Sequence, residues 1–323
     1  MEALQGANEG RPPVIPPFQG TWAVENSELS LSEAIDSPED HAKVQIAMAE
    51  RCGFDGIEGM WDWLCMVEGL GAEVRIVDGM GPLTTSHPLE DIDIDLEPSP
   101  ESDLRGKSNL ETMRHLEDSG MYIYSTVPGP FTLGGEMRGL EQLMMDMILE
   151  PEHYTKVLSD CTEVIAEYAD FYSESSEGTL ICESTGGPAL LSPEDTCSNV
   201  LPWVSKAFNR VGNHRLLHIS GDPTEIIGYV PTNEIDLFSA GDGMALDVML
   251  DKTECAVLGG ISAASLRNDG WRDEVRKQII NAMEESSLYS ERFIIGATSD
   301  ISPDTPIEAV EIWRQFIAEG GRC

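Results

Sequence analysis

Residues 179–219 read TLICESTGGPALLSPEDTCSNVLPWVSKAFNRVGNHRLLHI, and this stretch decides the fold. It begins with a short apolar run, Thr179–Cys182, and ends with another, Leu216–Ile219; both runs are typical of buried strands. Between them, residues 193–212 have the length and the amphipathic spacing of a helix. Two strands joined by a helix are expected to lie parallel in one sheet.

The same alternation continues in both directions along the chain. Strands are also predicted at Met121–Tyr124, Ile235–Phe238, Ala256–Leu258 and Phe293–Ile295, with weaker candidates at 56–60 and 72–77. Helices are predicted at 40–52, 139–149, 152–174, 223–230, 243–252, 270–286 and 306–319. About eight strands favour a closed barrel, and no GxGxxG motif follows the first strand as a dinucleotide-binding fold requires. The predicted fold class is α/β, a single (β/α)8 TIM barrel.

The first part of the chain differs in composition from the rest. Residues 1–36 are rich in Gly, Pro and Ser and show little periodicity, so we interpret them as an irregular N-terminal arm laid over the barrel. Ser37-Pro38-Glu39-Asp40 then combines a capping hydroxyl, a proline and two acids, which is typical of a helix start. One barrel domain is therefore predicted over 37–323.

The chain is strongly acidic: 20 basic residues stand against 58 acidic ones, for a net charge of −38. Such a chain repels phosphate backbones, so nucleic acid is not expected as a partner. The carboxylates are spread along the whole chain, as in a solvated acidic surface suited to a salt-rich cytoplasm.

Membrane and disulfide signals are missing from the sequence. No run of about 18 uncharged apolar residues occurs, and the N-terminus has neither a basic patch nor an apolar stretch. The seven cysteines are scattered without a CxxC pair, which indicates buried thiols and not a disulfide framework. We expect a cytoplasmic protein without a membrane partner; its oligomeric state stays open.

In a TIM barrel the functional residues follow the strands, at the carboxyl ends. Reading those positions gives one set of candidates, which we expect to meet at a common mouth: Asp62, Cys182, Glu183, Ser184, His218, Ser220, Asp222, Gly259, Ser299 and Asp300. Of these, Asp62, Glu183, His218, Ser220 and Ser299 are the candidate catalytic residues, and Ser184, Asp222, Gly259 and Asp300 are candidates for substrate binding.

Several segments resemble one known superfamily. Val127–Leu133, followed by Leu140 to Glu152, is similar to the "GPFTL…DPE" segment of the uroporphyrinogen-decarboxylase superfamily. Leu217–Thr224 resembles the "HxCGxT" strand end of its corrinoid branch, the methylcobalamin:coenzyme M methyltransferases. Other similar segments are Pro188–Pro193, Val257–Ser262 (its "GNI" turn) and Ile301–Pro306 (its "PPxTP" loop). The resemblance runs in order over roughly 45–320.

The corrinoid branch implies methyl transfer from a corrinoid, methylcobalamin, held by a separate protein. Its zinc ion, bound by the His and Cys of HxC and by a later Cys, activates an acceptor thiol. His218 keeps its place in this pattern, but Ser220 and Ser299 stand at the two cysteine positions. Serine is a poor zinc ligand compared with thiolate. His218 with Cys182 remains the candidate metal pair, and a hydrogen-bonded structural histidine is the alternative.

The decarboxylase branch implies a second chemistry, the cofactor-free removal of acetate carboxyls from a tetrapyrrole. Asp62 stands roughly where that branch keeps its pyrrole-binding aspartate, although an N-capping carboxylate is an equal alternative. Residues 18–23 stand near its arginine motif without an arginine, and Ser299 replaces its C-terminal histidine. Glu136, in place of its tyrosine, is a further candidate for substrate binding.

Three functions follow from these resemblances. The leading hypothesis is methyl transfer from a corrinoid to a small-molecule acceptor such as a thiol, with zinc possible but its site degenerate. The second is uroporphyrinogen-III decarboxylation, which the missing arginines disfavour because the substrate carries eight carboxylates. The third is a non-catalytic barrel that binds a corrinoid or a tetrapyrrole.

Overall fold

A computed structural model describes residues 2–6, 11–60, 62–77, 79–90, 92 and 94–320. Its strands are β1 (Gly56–Met60), β2 (Val74–Val77), β3 (Gly81–Thr84), β4 (Tyr122–Pro128), β5 (Gly178–Glu183), β6 (His214–Ile219), β7 (Leu237–Ala240), β8 (Ala256–Ile261) and β9 (Phe293–Ala297).

Helices flank these strands along the chain. They are α1 (Gly20–Glu25), α2 (Leu31–Asp36), α3 (Pro38–Cys52), α4 (Leu64–Gly69), α5 (Leu104–Leu116), α6 (Pro130–Arg138), α7 (Leu140–Leu149), α8 (Pro151–Tyr172), α9 (Pro193–Asp195), α10 (Leu201–Phe208), α11 (Leu246–Lys252), α12 (Trp271–Glu285), α13 (Ile307–Glu311) and α14 (Trp313–Gly320). A π-helical turn, Thr196–Val200, joins α9 to α10. Within the described ranges, no helix is long and apolar enough to span a bilayer.

The central sheet is parallel and curled. In the described part of the chain it has seven strands, in the order β1-β4-β5-β6-β7-β8-β9, and every neighbouring pair is parallel. The strands follow one another in chain order, with helices between most of them. All their carboxyl ends therefore lie at one edge, as the sequence pattern predicts.

A short N-terminal segment connects the two edge strands of this sheet. Ile15 N donates to Ile295 O at 3.0 Å, and Ile295 N donates to Pro13 O at 2.9 Å, so the segment pairs with β9. On its other side, Asp55 N donates to Val14 O at 2.8 Å, just before β1 begins. Residues 13–15 thus link β9 to β1 through backbone hydrogen bonds.

The strand set differs from the prediction at one place. Residues 72–77 were expected to form a barrel strand, but β2 pairs antiparallel with β3 in a separate two-stranded hairpin. The described sheet therefore contains seven parallel strands, and the eighth strand of a (β/α)8 barrel is not among them. The hairpin is half-exposed, which explains the mixed apolar and charged pattern of Val74–Val77.

Two further expectations about local structure were wrong. The N-terminal arm is not irregular, because it contains α1 and α2, and Ser30 begins α2 with a capping box to Glu33. Residues 223–230 form a series of turns instead of a helix. There the Asp222 carboxylate accepts from Thr224 N and Thr224 Oγ1, which closes a local turn that competes with a helix start.

Candidate active site

A cavity opens at the carboxyl ends of the strands, with a volume of about 210 Å³. Its walls come from residues 18–21 of the N-terminal arm, strand β1 and the loop after it, the β2–β3 hairpin and the ends of β5, β6 and β9. The lining residues are Phe18, Gly20, Thr21, Glu58, Asp62, Trp63, Leu64, Pro82, Cys182, Ser184, His218, Ser220, Ser299 and Asp300. Seven of them were predicted from the sequence: Asp62, Cys182, Ser184, His218, Ser220, Ser299 and Asp300.

Asp62 is an ion-paired member of the cavity wall. The residue is 2% exposed, and its Oδ2 accepts from Arg105 Nε at 2.9 Å and from Arg105 Nη2 at 2.5 Å. Arg105 also donates to Glu68 at 2.9 Å, so this guanidinium is committed to two carboxylates. Asp62 Oδ1 has no hydrogen-bond partner among the described residues.

Glu58 lines the cavity and was not among the predicted site residues. It lies within β1, 3% exposed, where Thr126 Oγ1 donates to its Oε1 at 2.7 Å and Gly20 N donates to its Oε2 at 3.3 Å. Burial raises the pKa of Glu58 to about 7, and these donated hydrogen bonds oppose the rise. A glutamate in a strand is more often solvent-facing, so the sequence pattern did not single it out.

His218 lies at the end of β6, directly beside Cys182 of β5 in the parallel register. The ring is 1% exposed, its Nδ1 lies 3.1 Å from Ser239 Oγ, and Phe18 contacts it edge-on at 5.1 Å between ring centroids. Burial lowers the pKa of His218 to about 4, so the imidazole is neutral near pH 7. A neutral, hydrogen-bonded ring is what a buried histidine requires.

The donor set does not fit a zinc ion. Cys182 Sγ lies 3.3 Å from Ser184 Oγ, and burial raises the pKa of Cys182 to about 12, which holds it as a thiol. Ser220 and Ser299, at the positions where the resemblance implies thiolate ligands, both line the cavity. Over the described ranges, no three His, Cys, Asp or Glu side chains converge on a point that a metal ion can occupy.

Glu183 lies behind the cavity and not on its wall. Its side chain is fully buried and accepts hydrogen bonds from Phe131 N at 2.9 Å, Thr132 N at 3.1 Å and Thr132 Oγ1 at 2.8 Å. These donors belong to the first turn of α6, where the helix dipole favours a carboxylate. A Cβ atom on Gly129 would come within 2.3 Å of this carboxylate, so the GPFTL segment has glycine there.

Three other predicted residues do not line the cavity. Glu136 lies in the interior of α6, and its carbonyl oxygen accepts from His87 Nδ1 at 2.7 Å. Asp222 closes its own turn with Thr224. Gly259 of β8 borders a neighbouring cavity of about 230 Å³, which also includes Asp242. Asp242 accepts there from Ser262 Oγ and Thr298 Oγ1.

The arm supplies a part of the site that the sequence pattern did not reveal. Phe18, Gly20 and Thr21 line the cavity, although residues 1–36 were interpreted only as an irregular arm laid over the barrel and none of them was a candidate site residue. Phe18 has a φ of 55°, the one non-glycine residue with a positive φ in the described chain. Strained backbone of this kind is concentrated at functional sites, which is the signal that identifies this segment in the structure.

Comparison with known proteins gives consistent matches. The family model described as "Uroporphyrinogen decarboxylase (URO-D)" matches residues 1–320. A methylated-thiol–coenzyme M methyltransferase of Methanosarcina mazei is 22% identical over 204 residues, 62% of this chain and 53% of that protein. A uroporphyrinogen decarboxylase of Salinibacter ruber is 26% identical over 237 residues, 69% of this chain and 61% of that protein. The matches thus span between half and two thirds of these relatives' lengths.

Solved structures extend the similarity to the whole fold. A methyltransferase from Methanosarcina mazei superposes with a TM-score of 0.84 at 20% identity, covering 98% of this chain and 96% of that one. An endoglucanase from Clostridum cellulovorans reaches a TM-score of 0.53 at 11% identity. The resemblance noted in the sequence is confirmed by the family model and by the relatives: this chain belongs to the uroporphyrinogen decarboxylase (URO-D) family.

Proposed function

We propose that this chain transfers a methyl group from a corrinoid, presented by a separate protein, to a small acceptor bound in the cavity. The observation that carries the proposal is the lining of the cavity, which holds Glu58, Asp62 and Asp300 and, among the described residues, neither lysine nor arginine. The methylated-thiol–coenzyme M methyltransferase among the relatives supports the same reaction class.

Electrostatics disfavour the decarboxylase reaction in this cavity. A substrate with eight carboxylates needs basic side chains around it, because like charges at close range in a poorly hydrated site repel strongly. Arg105, the nearby guanidinium, is held by Asp62 and Glu68. A methyl donor and a small acceptor place no such demand on the site.

The acceptor must lose a proton before it attacks the methyl group. In the proposed reaction Glu58 takes this proton from an acceptor thiol, since its pKa of about 7 suits a base near neutral pH. The sulfur lone pair then forms the new carbon–sulfur bond, and the electron pair of the broken cobalt–carbon bond stays with cobalt. The proposed step assigns this deprotonation to Glu58 and derives nothing through zinc, because the donor set among the described residues does not fit that ion.

The residues around Glu58 have positioning roles in this proposal. Thr126 and Gly20 hold its carboxylate by hydrogen bonds, while Ser239 orients the neutral His218 ring at the cavity wall. Glu183 positions α6 and the end of β5 from behind. Ser184, Ser220 and Ser299 offer hydroxyl groups to the acceptor.

The direct test is a methyl-transfer assay with methylcobalamin and a small thiol. We expect the cobalamin spectrum to report loss of the methyl group, with equimolar methyl thioether formed, in the absence of added zinc. Glu58→Gln should lower the rate by about 10²-fold or more, as loss of a general base does. The exposed Asp269→Asn variant should leave it unchanged.

One observation favours decarboxylation as the second candidate. Asp62 lines the cavity with its Oδ1 unpaired, in the sequence position where the resemblance implies a pyrrole-binding aspartate. Incubation with uroporphyrinogen decides between the two enzymes, because formation of coproporphyrinogen with no methyl transfer would replace the proposal. Cobalamin binding without either turnover would favour the non-catalytic barrel.

A further inference from the structure

The cavity gathers carboxyl groups, most of which have no cationic partner in the fold. Glu58, Asp62 and Asp300 all contribute to its wall, and Asp62 alone has an arginine partner. His218 supplies no positive charge near pH 7, because burial lowers its pKa to about 4. Removing a carboxylate from water without a cation is costly, and the pKa is accordingly raised to about 7 for Glu58 and to about 8 for Asp300. A cation bound beside these groups would favour their ionised forms and pair with them.

Each carboxylate has capacity left for a ligand. Glu58 accepts only from neutral donors, the Thr126 hydroxyl and backbone amides. Asp300 faces the open cavity, and its side chain makes no hydrogen bond or ion pair within the described residues; burial and the neighbouring Glu58 raise its pKa. Asp62, 2% exposed, keeps Oδ1 without a partner.

These carboxyl groups suit an organic cation better than a metal ion. Among the described residues, no three acidic, histidine or cysteine side chains converge closely enough to share one metal ion. The cavity of about 210 Å³ holds roughly seven water molecules, which suits a small molecule that reaches several groups at once. The Phe18 and Trp63 rings on the wall suit an ammonium group, which is attracted to aromatic faces.

From this arrangement we infer that the cavity binds a small acceptor carrying an ammonium group, which Glu58, Asp62 and Asp300 recognise between them. That the bound molecule is a methyl acceptor rests on the proposed function. Recognition of its ammonium group rests on the cavity alone. Anionic compounds of the same size should bind more weakly, because the cavity wall offers them carboxyl groups and, among the described residues, neither lysine nor arginine.

Three thiols that differ only in charge test this recognition. Cysteamine carries an ammonium group, 2-mercaptoethanol a hydroxyl and 2-mercaptoethanesulfonate a sulfonate on the same two-carbon thiol. Titration calorimetry at pH 7 and low ionic strength should give at least a tenfold tighter Kd for cysteamine than for 2-mercaptoethanol. The sulfonate should bind weakest of the three. Equal affinities, or tighter binding of the sulfonate, overturn the inference.

Two variants test whether the preference for cysteamine arises in the cavity or from the net charge of the chain. Asp300→Asn should weaken cysteamine binding several-fold and leave 2-mercaptoethanol unchanged, since Asp300 has no structural hydrogen bond to lose. Asp269→Asn, a matched change on the exposed surface, controls for the net charge of the chain. If both variants weaken cysteamine equally, attraction comes from the overall charge and the site assignment fails.

Thiol binding measured without a methyl donor, compared with methyl transfer from methylcobalamin, tests this inference separately from the proposed reaction. If cysteamine binds selectively but is not methylated by methylcobalamin, the proposed function fails and ammonium recognition stands. If a thiol is methylated while 2-mercaptoethanesulfonate is preferred over cysteamine, the reaction stands and ammonium recognition fails.

Discussion

Glu58 couples the chemistry of the cavity to the stability of the fold. Its pKa is raised from 4.5 to about 7 on folding, so between these values the folded chain binds a proton that the unfolded chain has lost. The contribution of Glu58 to stability is therefore fully present below pH 4.5 and is lost as pH rises through 7. Ionised Glu58 therefore lowers the stability of the folded chain relative to the unfolded chain.

This coupling predicts a pH-dependent difference between the wild type and Glu58→Gln. A glutamine has no proton to lose, so the free energy of unfolding of the wild type relative to the variant should fall between pH 5 and pH 8. The fall should be on the order of 2 kcal/mol, given roughly 1.4 kcal/mol for each pKa unit. Urea unfolding at each pH measures it. The exposed Glu101→Gln variant should track the wild type, and a Glu58→Gln difference that is flat with pH would contradict the raised pKa.

Gly129 is required by contact and not by backbone conformation. Its φ of −72° suits any residue, but an added Cβ would lie within 2.3 Å of the Glu183 carboxylate. Gly129→Ala should therefore cost about 1–3 kcal/mol of unfolding free energy, as overpacking in a buried site does. Gly212→Ala is the matched control, because a Cβ there meets no atom within 4 Å. Equal costs for the two variants, measured by urea unfolding, would show that Glu183 moves aside freely.

Residues at strand ends were predictable, whereas residues within strands and in the arm were not. Asp62, Cys182 and His218 were found because chain position alone places them at the carboxyl edge. Glu58 was missed because alternation along a short strand does not tell which face meets the cavity. Phe18 was missed because its approach to His218 depends on how the arm folds back over the sheet, which no local pattern encodes.

At the scale of elements, the segment 13–15 holds the two edges of the sheet together. Asp55 Oδ2 accepts from Val14 N at 2.7 Å, and its carboxylate pairs with Arg11 at 2.7 and 2.8 Å. This side chain therefore fixes the segment beside β1 while Ile295 fixes it beside β9. The parallel strands themselves were predicted well, since most of them are buried apolar runs followed by a helix. The hairpin at 74–84 was not, because its strands are short and half-exposed.

Removing the Asp55 carboxylate should loosen this connection. Asp55→Ala leaves Val14 N without its acceptor, so we expect a loss of about 1–2 kcal/mol and faster hydrogen exchange at the Ile295 amide, which donates to Pro13 O. Arg11→Ala leaves the Val14 N–Asp55 hydrogen bond in place, removes the half-exposed ion pair and a hydrogen bond to Pro12 O, and should cost less than about 1 kcal/mol. Unchanged exchange at Ile295 in Asp55→Ala would mean that the segment is held by other contacts.

At the scale of the whole molecule, charge sets the conditions under which the fold is stable. With a net charge of −38, the folded chain carries a dense shell of carboxylates that repel one another. Salt shortens the range of this repulsion from about 10 Å at 0.1 M to about 3 Å at 1 M. The same screening weakens the attraction of the cavity for an ammonium group, so stability and recognition respond to salt in opposite directions.

The melting temperature should therefore rise when KCl is increased from 0.05 to 1 M at pH 7, because screening relieves the repulsion mainly in the compact state. The size of this rise should shrink as pH approaches the isoelectric point of about 4.2, where few net charges remain to be screened. Thermal melts monitored by circular dichroism at pH 7 and pH 5 separate this effect from a general exclusion of salt from the protein surface, which acts at both pH values alike. If salt raises the melting temperature equally at pH 7 and pH 5, it stabilises the fold by strengthening apolar burial and not by screening the acidic surface.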